Sequence, residues 1–194
     1  LVTLAQVCLN LGYQSNMAQA ISEGRDLHLA LAADLAGVSY EQALKLRAEK
    51  DPQILKLRKL AKVPNFGLSG GLGVSGLVGF AKGYGLNITE REAQDLKRAW
   101  FGRWPEMRLY FDQVKRDVTR GYMTHHISGR RRGGIGFTDG ANSYFQGLVA
   151  DGAKCALYDV VRACWMQPES ALFGARPVLF IHDEIILEVP EGRA

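Results

Sequence analysis

Residues 58–67 read RKLAKVPNFG and are the most informative stretch of this sequence. Arg58, Lys62 and Phe66 recur at every fourth position, so a helix would place all three on one face. Arginine offers a planar fork of donors to phosphate, and lysine offers a point charge that can also donate a proton. Such a face can hold a triphosphate and stack its base on Phe66. The alternative is a common basic surface helix with Phe66 in the core.

A second informative stretch lies near the end of the chain. Residues 178–181 and 185–189 are apolar runs rich in β-branched side chains, and His182, Asp183 and Glu184 separate them. This pattern predicts an antiparallel hairpin with two acids at its tip. Phosphoryl-transfer enzymes use such carboxylates to hold Mg²⁺ ions. A polar turn without a metal is an equally good interpretation.

Apolar spacing and capping residues predict helices along most of the remaining chain. Ser39 and Gln42 have the spacing of a capping box, and Gly37 is suited to ending the preceding helix. Residues 67–85 are rich in glycine but also apolar, and they are expected to form a mobile but packed segment. Residues 129–140 are expected to form a loop, which leaves an α+β fold class. The predicted helices span residues 1–11, 17–21, 28–35, 40–49, 58–66, 87–101 or 89–101, 105–120 and 142–166.

The charge distribution favours a polyanionic partner. The formal net charge is only +4, but the cations are concentrated between Lys97 and Arg132, where acids are few. A nucleic-acid backbone suits such a stretch, although a solvated helix face is the alternative. No apolar run approaches the roughly 20 residues that span a bilayer, so no membrane partner and a cytoplasmic location are expected. The three cysteines form no CxxC pair, which argues against zinc and a disulfide framework.

The order of these motifs resembles that of the family A (DNA polymerase I-like) DNA polymerases. Residues 58–67 are similar to motif B of that family, and residues 181–188, IHDEIILE, are similar to its motif C. Three further segments fall in the expected order: EGRDLH at residues 23–28, GRRR at residues 129–132 and NSYFQGLVAD at residues 142–151. The resemblance covers essentially the whole chain.

The resemblance implies a fragment of the right-hand polymerase fold. Residues 1–35 would form part of the palm and its junction with the fingers. Residues 36–120 would form the fingers, with the motif B helix at residues 58–66. Residues 121–194 would return to the palm and carry motif C in a small antiparallel hairpin. The implied function is template-directed DNA synthesis, in which deoxynucleoside triphosphates extend the 3′ end of a primer on a DNA template.

The resemblance also implies roles for individual residues, with two Mg²⁺ ions as the cofactors. Asp183 would be a catalytic metal ligand, and Glu184 would support the metal site or the primer end. Lys62 would bind the incoming triphosphate and help to protonate the leaving pyrophosphate. Arg58 and His28 would contact the phosphates. Without the resemblance, His28 is equally well interpreted as a core or capping residue.

Other residues would contact the nucleotide base and the DNA. Phe66 would stack on the base or sugar, and Asn142, Gln146 and His182 would touch the minor groove or the primer terminus. Minor-groove acceptors are nearly the same for every base pair, so such contacts suit an enzyme that copies any sequence. Without the resemblance, Gln146 is interpreted as an ordinary surface residue, and residues 130–132 are interpreted as a solvated basic loop. The expected contacts to the DNA backbone are Arg130, Arg131 and Arg132.

The family's motif A supplies a second metal-binding aspartate, and residues 1–5 are similar to the segment that follows it. The chain is therefore expected to lack that aspartate, the upstream palm and the thumb, and to be a poor catalyst alone. Motif B departs from the family as well, because Gly70 replaces the usual tyrosine. Pro64 is expected to bend the helix or to break it. These departures suggest a phage-type or otherwise divergent member of the family, and a bacterial or phage-infected cell is the expected location.

Two other functions compete with this interpretation. Gly71, Gly73 and Gly76 match a dinucleotide-binding fingerprint, but that fingerprint should follow a strand, and here it follows a basic helix. A non-catalytic DNA-binding module would also explain the basic stretch. Such a module would bind DNA in a steeply salt-dependent way, and deoxynucleotides would not affect it.

Overall fold

The computed structural model describes residues 1–182 and 184–192, so the expected metal ligand Asp183 lies outside the described residues. The chain divides into two compact units, Leu1–Gln146 and Gly147–Ala194. Within the described residues, the first unit contains eight helices and a small hairpin, and a ninth helix runs from the first unit into the second. A second hairpin belongs to the second unit.

The expected α+β fold class, mostly helical with small antiparallel pairing, is confirmed. The sequence indicated only one of the two hairpins. None of the helices in the described residues is both long enough and apolar enough to cross a membrane. In chain order the elements are α1 Val2–Asn10, α2 Asn16–Ser22, α3 Leu27–Ala36, α4 Tyr40–Ala48, α5 Pro52–Gly67, α6 Val74–Gly83, α7 Glu90–Arg103, α8 Glu106–Arg120, β1 Tyr122–Thr124, β2 Arg131–Gly133, α9 Phe137–Trp165, β3 Arg176–Ile181 and β4 Glu184–Glu188.

Local capping chemistry sets several helix ends where the sequence predicts them. Ser39 accepts a hydrogen bond from the backbone N–H of Gln42, and the Gln42 side chain accepts one from the backbone N–H of Ser39. Gly37 follows α3 with φ of 69°, a left-handed conformation that glycine adopts without strain. These contacts satisfy backbone groups that helix ends leave unpaired.

Helix α3 forms the centre of the first unit and packs against α5. Leu29, Ala30 and Leu31 of α3 have no exposed surface, and Ile54 and Ala61 of α5 are equally well buried. Alanines between the leucines of α3 keep its surface low, which lets α5 approach closely. Burial of each large aliphatic side chain contributes about 1.5–3 kcal/mol. The buried side of α5 therefore holds its opposite side in a defined position.

The glycine-rich stretch at residues 67–85 contains a helix that the sequence analysis did not predict. Helix α6 buries Leu77 and Ala81, which confirms that the stretch is packed. A Cβ at Gly67 would lie 2.9 Å from Cδ1 of Leu77, so glycine at this position lets α6 approach α5. The spacing of the apolar side chains outweighs the low helix propensity of glycine here.

Of the bend or break expected at Pro64 in the motif B helix, the break is wrong. Helix α5 continues through Pro64 to Gly67, and the carbonyl of Pro64 still accepts a hydrogen bond from the Leu68 N–H. Proline removes only one backbone donor, and Val63, Pro64 and Asn65 are all buried. Packing around this turn therefore compensates for the missing hydrogen bond.

The expectation of a loop over residues 129–140 is wrong in two places. Strand β2 pairs antiparallel with β1, with Met123 opposite Arg132 and Thr124 opposite Arg131. Helix α9 also begins earlier than expected, at Phe137. A three-residue strand with two arginines lacks the alternating apolar pattern by which strands are recognised, so its sequence carries little signal.

The hairpin predicted near the end of the chain is confirmed within the described residues. Strands β3 and β4 pair antiparallel, with Ile181 opposite Glu184 and Phe180 opposite Ile185. A register shift lies between Pro177 and Leu179, where proline cannot donate to the ladder.

Candidate active site

Helix α5 presents Arg58, Lys62 and Phe66 on one side, as their spacing predicts, and this set is called the α5 face. The Arg58 and Lys62 side chains are partly exposed, and 45% of Phe66 is exposed. The core alternative for Phe66 is therefore wrong. Among residues 1–182 and 184–192, no carboxylate lies within 4.0 Å of the Lys62 ammonium. The α5 face thus offers a cation and an aromatic ring at the surface of the first unit.

Arg58 is held in place by Asp26, whose importance the sequence analysis missed. The Nε and Nη2 atoms of Arg58 lie 2.8 and 2.7 Å from Oδ2 of Asp26, and Nη1 of Arg47 lies 3.2 Å from the same oxygen. The other oxygen, Oδ1, caps α3 by accepting from the backbone N–H groups of His28 and Leu29. Asp26 therefore joins the start of α3 to the α5 face.

The electrostatics of Asp26 follow from these contacts. Partial burial acts to raise the pKa of its carboxyl, but the hydrogen bond from Arg58 and those from the start of α3 hold the pKa below its ordinary value. Asp26 is thus ionised at neutral pH and neutralises part of the charge of Arg58. Two N–H groups of the guanidinium point to Asp26, and within the part of the chain that the structure describes the remaining three are available for another acceptor.

His28 lies beside the α5 face, on the first turn of α3. Its ring centroid is 5.0 Å from that of Phe66, and its Nδ1 atom is 3.0 Å from Nδ2 of Asn65. Partial burial lowers the pKa of His28, and Arg58 and Lys62 lower it further against the opposing effect of Asp26. His28 is therefore a neutral imidazole at neutral pH. Its ring lies next to the α5 face, with which the sequence-based interpretation groups it.

Asn65 is the second residue of this region that the sequence analysis missed. It is completely buried, and its Oδ1 atom accepts from the indole N–H groups of Trp100 and Trp104 at 3.1 and 3.0 Å. Its Nδ2 atom lies 3.3 Å from the carbonyl oxygen of Leu27 and 3.0 Å from Nδ1 of His28. Asn65 thus links α5 to α3 and to the two tryptophans that close α7. The signal that the sequence offered for this role was a polar side chain within a helix turn that is otherwise buried.

Asn142 contacts the segment that follows α5. Its Nδ2 atom donates to the carbonyl of Gly70 at 3.0 Å and to that of Thr138 at 2.9 Å. A Cβ at Gly70 would lie 2.9 Å from Oδ1 of Asn142, so the small residue at position 70 is what admits the amide. Gln146, one turn further along α9, is exposed. Gly70, which departs from the family pattern, and Asn142, which is expected to contact DNA, therefore belong to the same structural feature.

The expected backbone-binding arginines lie on and beside β2, and all three are exposed. The Arg131 guanidinium lies over the ring of Tyr122 at 5.3 Å from its centroid. Arg132 donates to the hydroxyl of Ser143 and lies 4.0 Å from the carboxylate of Asp139. Contacts with the protein thus orient Arg131 and Arg132 while their surfaces stay open to solvent. Arg130 precedes them in the connection between β1 and β2.

The remaining expected site residues belong to the second unit. His182 follows β3 with φ of 55°, and Glu184 begins β4; both are exposed. Asp183 lies outside the described residues. Within residues 1–182 and 184–192, no group of three or more histidine, cysteine, aspartate or glutamate side chains is arranged to hold a metal ion. The described residues bring His28, Arg58, Lys62 and Phe66 together in the first unit, and the motif C residues belong to the second unit.

Comparisons with known proteins identify similar sequences and a similar fold. DNA polymerase I of Aquifex aeolicus is 32% identical over 183 residues, which cover 92% of this chain and 29% of that protein. DNA polymerase I of Geobacillus stearothermophilus is 28% identical over 198 residues, or 96% of this chain and 20% of that protein. The POL domain of Pol1 from M. smegmatis, solved in complex with DNA primer-template and dNTP, matches with a TM-score of 0.70 and 26% identity. That match covers 97% of this chain and 32% of the solved one.

The fold is accordingly that of part of a polymerase domain, and the chain spans less than a third of the length of each of these proteins. Residues 5–194 match DNA polymerase family A. The chain belongs to this family, because the match covers nearly the whole sequence. The dinucleotide-binding interpretation is wrong, since Gly71 and Gly73 lie between helices α5 and α6, Gly76 lies within α6, and the preceding element is a helix and not a strand.

Proposed function

We propose that these residues contribute the nucleotide-binding part of a polymerase that performs template-directed DNA synthesis. The observation that carries the proposal is the α5 face with His28 beside it, in a chain of DNA polymerase family A. The ammonium of Lys62 and the guanidinium of Arg58 match the phosphates of a deoxynucleoside triphosphate, and the ring of Phe66 matches its base. The polymerase domain from M. smegmatis was solved with such a nucleotide and with DNA.

Each side chain of the site has a distinct role in this proposal. Lys62, which has no carboxylate partner among the described residues, binds the triphosphate and donates a proton to the leaving pyrophosphate. Arg58, oriented by Asp26, donates its remaining N–H groups to phosphate oxygens. Phe66 stacks on the base or sugar, and His28 contacts the phosphates. All four proposed roles are supported by the proximity of these side chains within the first unit.

The metal part of the proposal rests on the motif C segment. We propose that Asp183 and Glu184 help to hold two Mg²⁺ ions, because Mg²⁺ prefers carboxylate oxygens and because these acids come two and three positions after the last residue of β3 in the sequence. The described residues alone do not make a complete ion site. The roles proposed for Lys62, Arg58 and His28 rest on the N–H groups of these side chains and do not depend on a metal ion.

We further propose contacts with primer-template DNA. The exposed Arg131 and Arg132 suit the DNA backbone, with Arg130 beside them, and Asn142, Gln146 and His182 suit the minor groove or the primer end. The assignment of residues 36–120 to the fingers and of the flanking residues to the palm is part of the same proposal. A cytoplasmic location in a bacterial or phage-infected cell is expected of such an enzyme.

The proposal is tested by nucleotide binding to the 194-residue chain. Titration with a fluorescent deoxynucleoside triphosphate, followed by anisotropy, is expected to show binding that Lys62→Ala weakens about tenfold or more, because hydrogen bonds to charged groups contribute about 1.5–3 kcal/mol. Lys59→Ala is the matched control, since Lys59 carries the same charge on the same helix but lies off the α5 face. Equal effects of the two substitutions would refute the assignment of Lys62.

A DNA-binding module without catalysis is the second candidate, favoured by the exposed arginines of β2. Binding of a labelled primer-template is measured at several salt concentrations, with and without the deoxynucleotide that pairs with the template base. A polymerase is expected to hold the DNA more tightly when that nucleotide is present. DNA binding that weakens with salt but does not change when any deoxynucleotide is added would favour the DNA-binding module instead.

A further inference from the structure

We propose that Asn65 is a positioning residue that holds His28 in the tautomer with a proton on Nε2, so that His28 presents a neutral donor to the triphosphate. This inference deepens the proposed function and rests on it. It is carried by a buried hydrogen-bond network whose donors and acceptors leave only one consistent assignment.

The assignment begins at the two tryptophans. An indole N–H can only donate, so the Asn65 atom that lies 3.1 and 3.0 Å from Nε1 of Trp100 and Trp104 must be the amide oxygen. The amide nitrogen then faces the carbonyl oxygen of Leu27, which can only accept. Contacts on both sides of the amide therefore agree on its orientation.

The orientation of the amide decides the tautomer of His28. An amide nitrogen carries two N–H groups and accepts nothing, so Nδ1 of His28, 3.0 Å away, must be the acceptor. A neutral imidazole with an unprotonated Nδ1 carries its proton on Nε2. Among residues 1–182 and 184–192, Nε2 has no hydrogen-bond partner, so its N–H is free to meet a ligand.

The surroundings of Asn65 make this arrangement rigid. The residue has no exposed surface, and its amide joins α5 to α3 and to the end of α7. Rotation of the amide by half a turn would leave both indole donors and the Leu27 carbonyl facing groups of the same kind. Such unpaired buried groups are costly, so the network disfavours the other tautomer.

The same network also opposes protonation of His28. An imidazolium has a hydrogen on both nitrogens, and a hydrogen on Nδ1 would point at the amide N–H groups of Asn65. The charged groups that face His28 are Asp26, which caps α3, Arg58 and Lys62 on α5, and the α-amino group of Leu1. Of these only Asp26 favours the imidazolium, and Arg58 already neutralises it. His28 therefore recognises phosphate as a donor and not as a cation.

Nitrogen-15 NMR of His28 in the 194-residue chain tests the inference directly. Long-range proton–nitrogen correlations at neutral pH are expected to show a protonated Nε2 and an unprotonated Nδ1. His125, His126 and His182 serve as internal references, and His28→Gln assigns the signals. A proton on Nδ1, or rapid averaging between the two tautomers, would overturn the inference. This measurement requires no nucleotide and no substitution of Asn65.

Asn65→Asp provides the functional test, since it keeps the shape of the side chain and replaces the amide nitrogen with an acceptor. The variant is expected to move the His28 proton to Nδ1 and to weaken triphosphate binding about tenfold at pH 8. Binding is expected to recover as the pH falls and His28 gains a second proton. The ratio of variant to unmodified affinity at each pH removes the titration of the nucleotide itself.

The outcomes separate this inference from the proposed function. If the NMR spectrum shows a protonated Nε2 but the unmodified chain binds no deoxynucleotide, the proposed function fails and the tautomer assignment stands. If the chain binds nucleotide but Asn65→Asp leaves the affinity ratio constant with pH, Asn65 has no positioning role. If Asn65→Asp does not fold, the NMR result on the unmodified chain decides alone.

Discussion

Two groups of expected site residues contrast in how the protein holds them. The group on α3 and α5 rests on a buried polar network, in which Asp26 and Asn65 each contact three or more other groups. The group on the β3–β4 hairpin is exposed: His182 and Glu184 are open to solvent, and so are Val178 and Phe180 on the strand before them. In the described residues, pairing of the two strands positions this second group.

The contrast shows two ways of placing a functional side chain. A strand ladder sets the position of a residue through backbone register, which local sequence largely determines. A buried network sets the orientation of a side chain through partners that are far apart in sequence, such as His28 and Asn65 or Asn65 and Trp104. Substitutions in the network should therefore cost far more stability than substitutions in the hairpin.

The largest loss is expected for Asn65→Leu. This change leaves the indole N–H groups of Trp100 and Trp104 without an acceptor in the core, and each unpaired group costs about 1–3 kcal/mol. The free energy of unfolding, measured with urea and circular dichroism, should fall by about 3 kcal/mol or more. Gln53→Leu, at an exposed position of the same helix, should change it by less than about 0.5 kcal/mol. A loss below 1 kcal/mol for Asn65→Leu, on the order of a surface change, would contradict the network.

Asp26→Asn is expected to have the next largest effect. Asparagine keeps the cap of α3 but loses the ion pairs with Arg58 and Arg47, which should cost about 1–2 kcal/mol at pH 7. Asp95→Asn, which removes the exposed ion pair with Arg98, is the matched control and should cost under about 0.5 kcal/mol. Equal losses for the two variants would show that Asp26 acts only as a cap.

The pH dependence of Asp26 gives the same comparison a sign. Because the folded state lowers the pKa of Asp26, its ionised form stabilises the fold above the ordinary aspartate pKa of about 3.9. This stabilisation is lost as the pH falls through the lower, folded pKa. The difference in unfolding free energy between the unmodified chain and Asp26→Asn should thus narrow below about pH 4. A difference that is constant from pH 7 to pH 3 would argue against the ion pairs.

A smaller effect is expected at Gly70. The Cβ of Gly70→Ala would lie 2.9 Å from Oδ1 of Asn142, so the amide must move and lose its bond to the Gly70 carbonyl, at a cost of about 1 kcal/mol. Gly79→Ala, where nothing lies within 4 Å of the new Cβ, should instead stabilise α6 by about 0.5–1 kcal/mol. Opposite signs in thermal unfolding are the expected result. In an Asn142→Ala background, Gly70→Ala should cost much less, because the bond to the Gly70 carbonyl is already absent there.

The smallest effect is expected in the hairpin. Val178 is 57% exposed, so Val178→Thr should change the midpoint of thermal unfolding by an amount equivalent to less than about 0.5 kcal/mol. Both side chains are β-branched and favour the strand. A loss above about 1.5 kcal/mol would mean that this strand is packed in the folded protein, and the contrast between the two groups would disappear.

Much of the fold could be predicted from local patterns. The ends of α3 and α4, the α5 face and the β3–β4 pairing follow from capping residues, helical spacing and alternation of apolar residues. Helix α6 was missed because its glycines resemble a loop, and only the close approach to α5 at Gly67 explains them. The β1–β2 pair was missed because β2 carries charge without alternation.

The sequence alone determined that Arg58, Lys62 and Phe66 share a helical face and that acids follow β3, because both depend only on residue spacing. Tertiary structure alone decided that Asp26 orients Arg58 and that Asn65 faces His28, because these partners are 32 and 37 residues apart. Contacts between side chains so distant in sequence form only when α3 and α5 pack together. Local periodicity carries no record of that packing, so the orientation of the candidate site belongs to the fold.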